Sequence, residues 1–141
     1  MLAAYARSQY EEMQVQTTPG RLVVMLYDGA MRFLHLGRDA LLRGDIEAQG
    51  LNLGKAQNIL CELSSSLDLA TGDLAGHLFS IYQYCLERLL VANAEDRVEY
   101  IDEVIRLLSG LRDAWEYAER AIHGGDPVGL SAAPSLVGAA R

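Results

Sequence analysis

The sequence predicts an all-α protein: an antiparallel up-and-down four-helix bundle with a short N-terminal extra helix or arm and a disordered C-terminal tail. Apolar residues recur at alternating three- and four-residue spacings in four long segments. Short polar or glycine-containing connections separate these segments, which makes successive helices antiparallel neighbours. No segment alternates apolar and polar residues as a strand does, and no Asn-Gly hairpin signal occurs. A sheet is therefore not expected.

Size and charge restrict the class of function. The chain has 141 residues, half of them apolar, which suffices for one domain with a continuous core. Nineteen acidic and twelve basic residues give a formal net charge of -7. This charge repels phosphate backbones and anionic lipid, so we expect neither a nucleic acid nor a membrane as partner.

The first predicted helix runs from about Pro19 to Arg43. Thr18 is suited to cap its free amides, and Pro19 fits the first helical position because the N–H it lacks would have had no partner there. Gly44 ends the helix. The predicted buried stripe comprises Val23, Leu26, Ala30, Phe33, Gly37 and Ala40. Other apolar residues fall outside or beside the stripe: Leu22, Met25, Tyr27 and Leu34. One seam cannot bury both sets, so apolar surface is expected to remain for a partner.

Three further helices follow from the same periodicity. Asp45 is placed to cap the second, the third runs from about Asp73 to Ala94, and the fourth from about Arg97 to His123. The predicted core of the second helix is Leu53, Ala56, Leu60, Leu63 and Leu67. That of the third is Leu74, Leu78, Ile81, Cys85 and Leu89, with Tyr82 and Leu86 beside it. That of the fourth is Ile101, Val104, Leu108, Leu111, Trp115, Ala118 and Ile122.

The two ends are predicted to lie outside the bundle. Residues 1–18 form an N-terminal arm or short helix, residues 19–123 the four-helix bundle, and residues 124–141 a disordered tail. The tail is rich in glycine, proline and alanine and shows no periodicity.

The cysteines and the lack of a leader predict a cytoplasmic protein. Cys61 and Cys85 lie in helical apolar patterns without a CxxC motif, which favours burial as small hydrophobic residues over a disulfide. The first residues lack the apolar core of a signal peptide, and no run of 18 residues is free of charge.

Catalysis, cofactors and metals are not expected, because the three histidines are far apart and no nucleophile–histidine grouping occurs. One metal-binding alternative combines Asp73 and His77 with Glu119 and His123, since each pair shares a helix face and antiparallel packing would bring the pairs together. The competing interpretation makes Asp73 a helix cap and His123 a favourable C-terminal group. The Glu-x-x-His pairs of di-iron bundles are absent.

Glycines and aromatic residues also allow two interpretations each. Gly29 and Gly37 lie in the first helix, and Gly50 and Gly54 form a small-xxx-small pair in the second. Each glycine costs about 1 kcal/mol relative to alanine, so either a bundle helix approaches closely there or an external helix binds. The chain has seven tyrosines. They either cover the edges of the core with their hydroxyls in water or contact a partner. Trp115 is expected in the core.

Blocks of residues in matching order resemble the flagellar secretion chaperone family, FliS, over about residues 5 to 120. The blocks are Tyr10, Thr18-Pro19, Leu22 and Met25–Ala30; Lys55–Leu60 with Glu62-Leu63; Tyr82-Gln83-Tyr84, Arg88-Leu89-Leu90 and Ala92-Asn93; and Asp113-Ala114-Trp115.

The resemblance implies a cytoplasmic chaperone that binds the disordered C-terminal region of flagellin in apolar grooves, prevents premature polymerisation and delivers the subunit for export. It leaves open a second partner in the export apparatus or among flagellar regulatory proteins, and a monomeric or weakly dimeric state. Carried over position by position, the predicted groove residues are Tyr10, Leu22, Met25, Leu26, Tyr27, Ile59, Leu63, Tyr82, Leu89 and Asn93. An N-terminal arm with Tyr5 is predicted to cover part of the groove until the client displaces it.

Two positions and one loop depart from the family pattern. Glu87 and Glu116 stand where the family usually has basic residues, and the loop Ala70–Asp73 lacks a double glycine. A different class of function also fits the apolar surplus, namely a structural bundle that associates with its own copies.

Overall fold

The computed structural model describes residues 18–123, which form four helices and one 3-10 turn. The helices are α1 (Pro19–Leu42), α2 (Ile46–Ser65), α3 (Asp73–Glu95) and α4 (Val98–His123), and the 3-10 turn is Leu69–Thr71. Successive helices pack against each other and α4 packs against α1, which closes a four-helix bundle. No strand occurs between residues 18 and 123, so the predicted all-helical fold is confirmed. The expectations for residues 1–17 and for the tail from Gly124 lie outside the described residues.

Two of the predicted helix starts have the expected caps. The Thr18 hydroxyl accepts a hydrogen bond from the Arg21 amide at 3.1 Å, and the Asp45 carboxylate accepts one from the Ala48 amide at 3.1 Å. The expectation that Asp73 caps α3 is wrong. Gly72 occupies the cap position, with φ of 130° and no side-chain bond, and Asp73 is already the first helical residue.

The core of α1 differs from the predicted stripe. Tyr27 and Leu34, expected beside the stripe, are fully buried, whereas Val23, Leu26 and Phe33 are only half-buried. The physical reason is that α1 has a neighbour on each side, α2 and α4, and therefore buries a wider arc than one seam requires. Most of the surplus apolar residues of α1 are thus buried inside the bundle.

The other predicted stripes are correct near the middle of the helices and wrong towards some ends. Four α4 residues, Ile101, Val104, Leu108 and Leu111, are buried as predicted, as are four of the α2 set, Leu53, Ala56, Leu60 and Leu63. Ile122 is instead 57% exposed. In α3, Tyr82 takes the buried position and Ile81 is half-buried, because the helix is rotated slightly from the predicted orientation.

The helices α1 and α2 approach each other closely at Gly37 in α1. A Cβ atom at this position would be 2.7 Å from Cδ2 and 3.0 Å from Cγ of Leu53 in α2, and a Cβ at Gly29 would be 3.4 Å from Cδ1 of Ile59. The internal-packing interpretation is therefore confirmed for Gly37.

Ion pairs run along the seam between α1 and α4. Arg38 contacts Asp102 at 2.6 Å near one end, and Arg112 contacts Asp28 at 2.8 Å further along. Near the other end the Arg21 guanidinium contacts the Glu116 carboxylate at 2.7 Å. The described helices include none long and apolar enough to span a bilayer.

The surroundings of Glu116 explain why an acidic residue stands where the family usually has a basic one. Its side chain is 12% exposed and lies within 4 Å of three guanidinium groups, at 2.7 Å from Arg21, 3.5 Å from Arg112 and 3.2 Å from Arg120. A basic residue at this position would be repelled by all three arginines.

We predict opposite effects of alanine at two helical glycines. Gly37→Ala forces buried Leu53 to move, and overpacking costs about 1–3 kcal/mol. Gly54→Ala meets no atom within 4 Å and should stabilise the protein by about 0.5–1 kcal/mol. Urea unfolding of both variants measures the difference, and because the helix-propensity gain is common to both, equal stabilities would contradict the close approach.

We also predict that only one of the two cysteines reacts with a thiol reagent in the native protein. Cys85 is buried, and burial raises the pKa of its thiol to about 12, whereas Cys61 is exposed. The expectation that both cysteines are buried is therefore wrong for Cys61. Ellman's reagent should titrate one thiol per chain at pH 8 and two in denaturant, and Cys61→Ser should leave none in the native state. A second reactive thiol in the native protein would contradict the buried position.

Candidate partner-binding surface

The helix α3 is less tightly held in the bundle than α1. It packs less closely against α2 and α4 than α1 packs against the same two neighbours. Across its seams the described polar contacts are hydrogen bonds and cation–π contacts, for example from the Gln49 amide to Asn93 Oδ1 at 3.1 Å and from the Tyr84 hydroxyl to Glu103 at 2.6 Å. Three exposed large apolar side chains, Phe79, Tyr84 and Leu90, lie on this helix.

A row of apolar side chains, which we call the α3 ridge, follows the side of α3 that faces α2. It consists of Phe79, Leu86 and Leu90, spaced seven and four residues apart, and Asn93 continues the same row. Leu90 is 62% exposed, Phe79 is 36% exposed and Leu86 is half-buried. The contact between Asn93 and Gln49 fixes the register of the antiparallel helices and places Leu90 level with the α2 segment between Gly50 and Gly54.

The α2 surface opposite the α3 ridge lacks side chains at two positions, Gly50 and Gly54. A Cβ atom at Gly50 or at Gly54 would meet no other described atom within 4 Å. These two glycines therefore do not serve the internal helix approach that Gly37 serves. They leave the α2 surface flat beside the α3 ridge, and we call the strip between them the α2/α3 trench.

Most of the predicted groove residues lie beneath the surface. Leu22, Tyr27, Leu63, Tyr82 and Leu89 are at most 2% exposed, and Ile59 is 6% exposed. In this conformation their side chains are not available to a bound segment. Met25 and Leu26 are half-buried, Asn93 is exposed, and Tyr10 lies outside the described residues. Membership of these ten residues in a binding surface stays a prediction.

Sequence reasoning missed Phe79 and Leu90 as candidate contact residues. The signal was present as a second periodic row, Phe79, Gln83, Leu86 and Leu90, displaced by one position from the buried row. A wide apolar arc on a helix with looser neighbours is typical of an interaction surface.

A polar pair joins α1 and α3 in the core. The hydroxyl oxygens of Tyr27 and Tyr82 are 2.5 Å apart, and both side chains are buried. Burial raises the pKa of both tyrosines above the usual value, so both hydroxyls remain neutral near pH 7. Trp115 packs partly buried against the core, as expected.

The side of α3 that faces α4 carries stacked aromatic and guanidinium groups. The Arg88 guanidinium carbon lies 4.7 Å from the ring centre of Tyr100 and 5.2 Å from that of Tyr84. Hydrogen bonding to Glu103 raises the pKa of Tyr84.

No site for a metal ion assembles from the described residues. Among the described side chains, which do not include that of His123, no three His, Cys, Asp or Glu groups lie close enough together to hold an ion. The His77 ring nitrogen instead contacts the backbone oxygen of Asp73 at 2.6 Å.

Comparison with known proteins places the chain in a family. The family model described as "Flagellar protein FliS" matches residues 1–121. The chain is 38% identical over 117 residues to the flagellar secretion chaperone FliS of Salmonella typhimurium, which covers 82% of this chain and 87% of the relative. It is 36% identical over 110 residues to the chaperone of the same name from Bacillus subtilis, covering 77% and 82%.

A third relative is the flagellar secretion chaperone FliSB of Pseudomonas aeruginosa, 33% identical over 122 residues, which cover 82% of this chain and 97% of the relative. The all-helical bundle and these matches define the class as a helical secretion chaperone. The chain belongs to the FliS family.

We predict non-additive effects at the buried tyrosine pair. Tyr27→Phe or Tyr82→Phe leaves one hydroxyl without its partner in the core and should lower the free energy of unfolding by about 1–3 kcal/mol. The double variant should cost less than the sum of the two single variants, because neither hydroxyl is then left buried alone. Urea titration of the four proteins measures the coupling, and strictly additive effects would contradict the hydrogen bond.

Proposed function

We propose that this chain is a cytoplasmic export chaperone that binds the disordered C-terminal region of flagellin. Binding covers apolar segments of flagellin, prevents its premature polymerisation and keeps the subunit ready for flagellar export. Membership in the FliS family supports the chaperone role. The exposed α3 ridge beside the bare α2 wall is the observation that carries the binding mode.

The shape of the α2/α3 trench suits an amphipathic helix. Such a helix lays an apolar face into a groove through side chains spaced three, four and seven residues apart. The ridge offers Leu86 and Leu90 one turn apart and Phe79 two turns from Leu86, which matches that spacing. The absence of side chains at Gly50 and Gly54 lets the backbone of the client come close to α2.

A disordered client fits a chaperone of this size. A segment that folds on binding wraps a large surface, and the free energy of ordering it is subtracted from the affinity, so the complex can be released. The predicted groove residues Met25 and Leu26 on α1 are half-buried, and contact with them would extend the client beyond the trench. An N-terminal arm that covers part of the groove remains part of this proposal, as does a second partner in the export apparatus or among flagellar regulators.

We predict that Leu90→Asp weakens binding of the flagellin C-terminal segment by about 10-fold or more. Burial of a leucine side chain in a complex contributes about 1.5–3 kcal/mol, and an aspartate at this position would lose that contribution and place a charge in the interface. Isothermal titration against a synthetic peptide with the C-terminal sequence of the organism's own flagellin measures the change.

Leu42→Asp is the matched control for that titration. Leu42 is 57% exposed, close to the 62% of Leu90, but it lies at the end of α1 and away from the trench. Its variant should bind as the unmodified chain does. Equal binding by Leu90→Asp would place the client elsewhere, and an unmodified chain that forms stable dimers and does not bind the peptide would favour a purely structural, self-associating bundle.

A further inference from the structure

The residues that follow α4 have a composition of their own. Residues 124–141 lie beyond the part of the chain that the family model matches, which ends at residue 121. Residues 127–140 carry no charged side chain, although the whole chain has a net charge of -7. Two leucines in this segment, Leu130 and Leu136, are separated only by serine, alanine and proline. A neutral segment with two apolar anchors is suited to contact an apolar surface.

The α2/α3 trench has the matching chemistry. The α3 ridge is apolar, and Gln83, which lies within the same row of α3, is neutral. On α2, Gln57 and Cys61 continue the row that begins at Gly50 and Gly54, at spacings of three and four residues. None of these positions is an aspartate, glutamate, lysine or arginine. A segment without charged side chains can therefore cover the trench without burying an unpaired charge.

Another exposed apolar surface is less suited to this segment. Leu36 of α1 is 45% exposed and Leu51 of α2 is 54% exposed. The cations Arg32 and Lys55 lie one helical turn from these leucines, at 4.9 Å and 5.2 Å from the centre of the Phe33 ring. Residues 127–140 have no acidic side chain to pair with these cations, so covering them is unfavourable.

The segment is long enough to lie along the trench. The contact of Tyr84 with Glu103 makes the start of α3, at residue 73, level with about residue 114 of α4. At a rise of 1.5 Å per residue, the end of α4 at residue 123 is about 23 Å from Phe79 and about 39 Å from Leu90 along the bundle axis. The sideways step across α3, about 10 Å, lengthens these paths only to about 25 Å and 40 Å.

The two leucines match the two ends of the α3 ridge. An extended chain spans about 3.1–3.6 Å per residue. Leu130, seven residues beyond α4, therefore reaches about 22–25 Å, and Leu136, 13 residues beyond α4, reaches about 40–47 Å. These distances bring Leu130 to Phe79 and Leu136 to Leu90. The small residues between the two leucines then run past the α2 positions that have no side chain, where a backbone can come close.

We propose that residues 127–140 occupy the α2/α3 trench in the free chain and compete with the client for it. The competition rests on the proposed function, because it requires the client to use the same trench. Gly129 and Pro134 disfavour a helix, so the segment fills a trench suited to an amphipathic helix incompletely. A tethered segment has an effective concentration in the millimolar range, so weak contacts suffice to hold it. A client that fills the trench as a helix displaces it.

Alkylation of Cys61 measures occupancy of the trench without flagellin. The contact of Gln49 with Asn93 makes exposed Cys61 level with about residue 81 of α3, within the trench. Iodoacetamide is neutral, so an added charge does not alter its approach. Leu136→Asp in the full chain removes an apolar anchor and should raise the rate constant of alkylation by about threefold or more. Leu90→Asp, on the other side of the same contact, should raise it similarly.

Val128→Asp is the matched control for Leu136→Asp. It changes the net charge equally, but Val128 lies only five residues beyond α4, a span of at most about 18 Å that ends short of the trench. Its alkylation rate should equal that of the unmodified chain, and thermal melting should show all variants folded. An unchanged rate in Leu136→Asp would overturn the docked segment. Acceleration by Tyr10→Asp without acceleration by Leu136→Asp would overturn it in favour of the N-terminal arm.

Titration with the flagellin peptide tests the competition separately. Leu136→Asp should bind the peptide about threefold or more tighter than the unmodified chain, because the trench is then open in a larger fraction of molecules. Val128→Asp should bind as the unmodified chain does. A faster reaction of Cys61 together with an unchanged affinity would overturn the competition. A chain that does not bind the peptide at all overturns the proposed function, whereas the alkylation rates still decide whether the segment is docked.

Discussion

The close approach of α1 and α2 at Gly37 is the constraint on which the rest of the structure depends. A side chain larger than hydrogen at this position would force buried Leu53 to move, so glycine lets the two helices pack at this distance with Leu53 in place. The contact fixes the register of the antiparallel pair. It thereby sets which residues of α1 and α2 lie level on the outer face and which apolar side chains of α1 enter the core.

The seam between α1 and α4 reinforces that arrangement and leaves α3 as the less constrained helix. Ion pairs of Arg38, Arg112 and Arg21 connect α1 to α4 along most of its length. A single surface ion pair contributes little, but several in one seam oppose sliding of the helices. The apolar ridge lies on α3, so the surface proposed for the client belongs to the helix with the looser neighbours, where a bound segment disturbs the fewest close contacts.

The trench and the α1/α4 seam differ in chemistry. The trench is apolar and contains bare backbone, which suits a foreign helix whose sequence varies. Glu116, where the family usually has a basic residue, lies outside the trench. It lies among three arginines at the α1/α4 seam, where its charge stabilises the bundle.

The sequence alone determined the number of helices, their bounds to within about two residues, and the caps at Thr18 and Asp45, because periodicity and capping are local properties. It also carried the family resemblance. Tertiary structure decided which apolar residues are available. Tyr27, Tyr82 and Leu89 carry the family pattern yet lie inside, whereas Leu90 remains exposed. Burial depends on how many neighbours each helix has and how closely they pack. The pattern of one helix does not determine its distance from its neighbours.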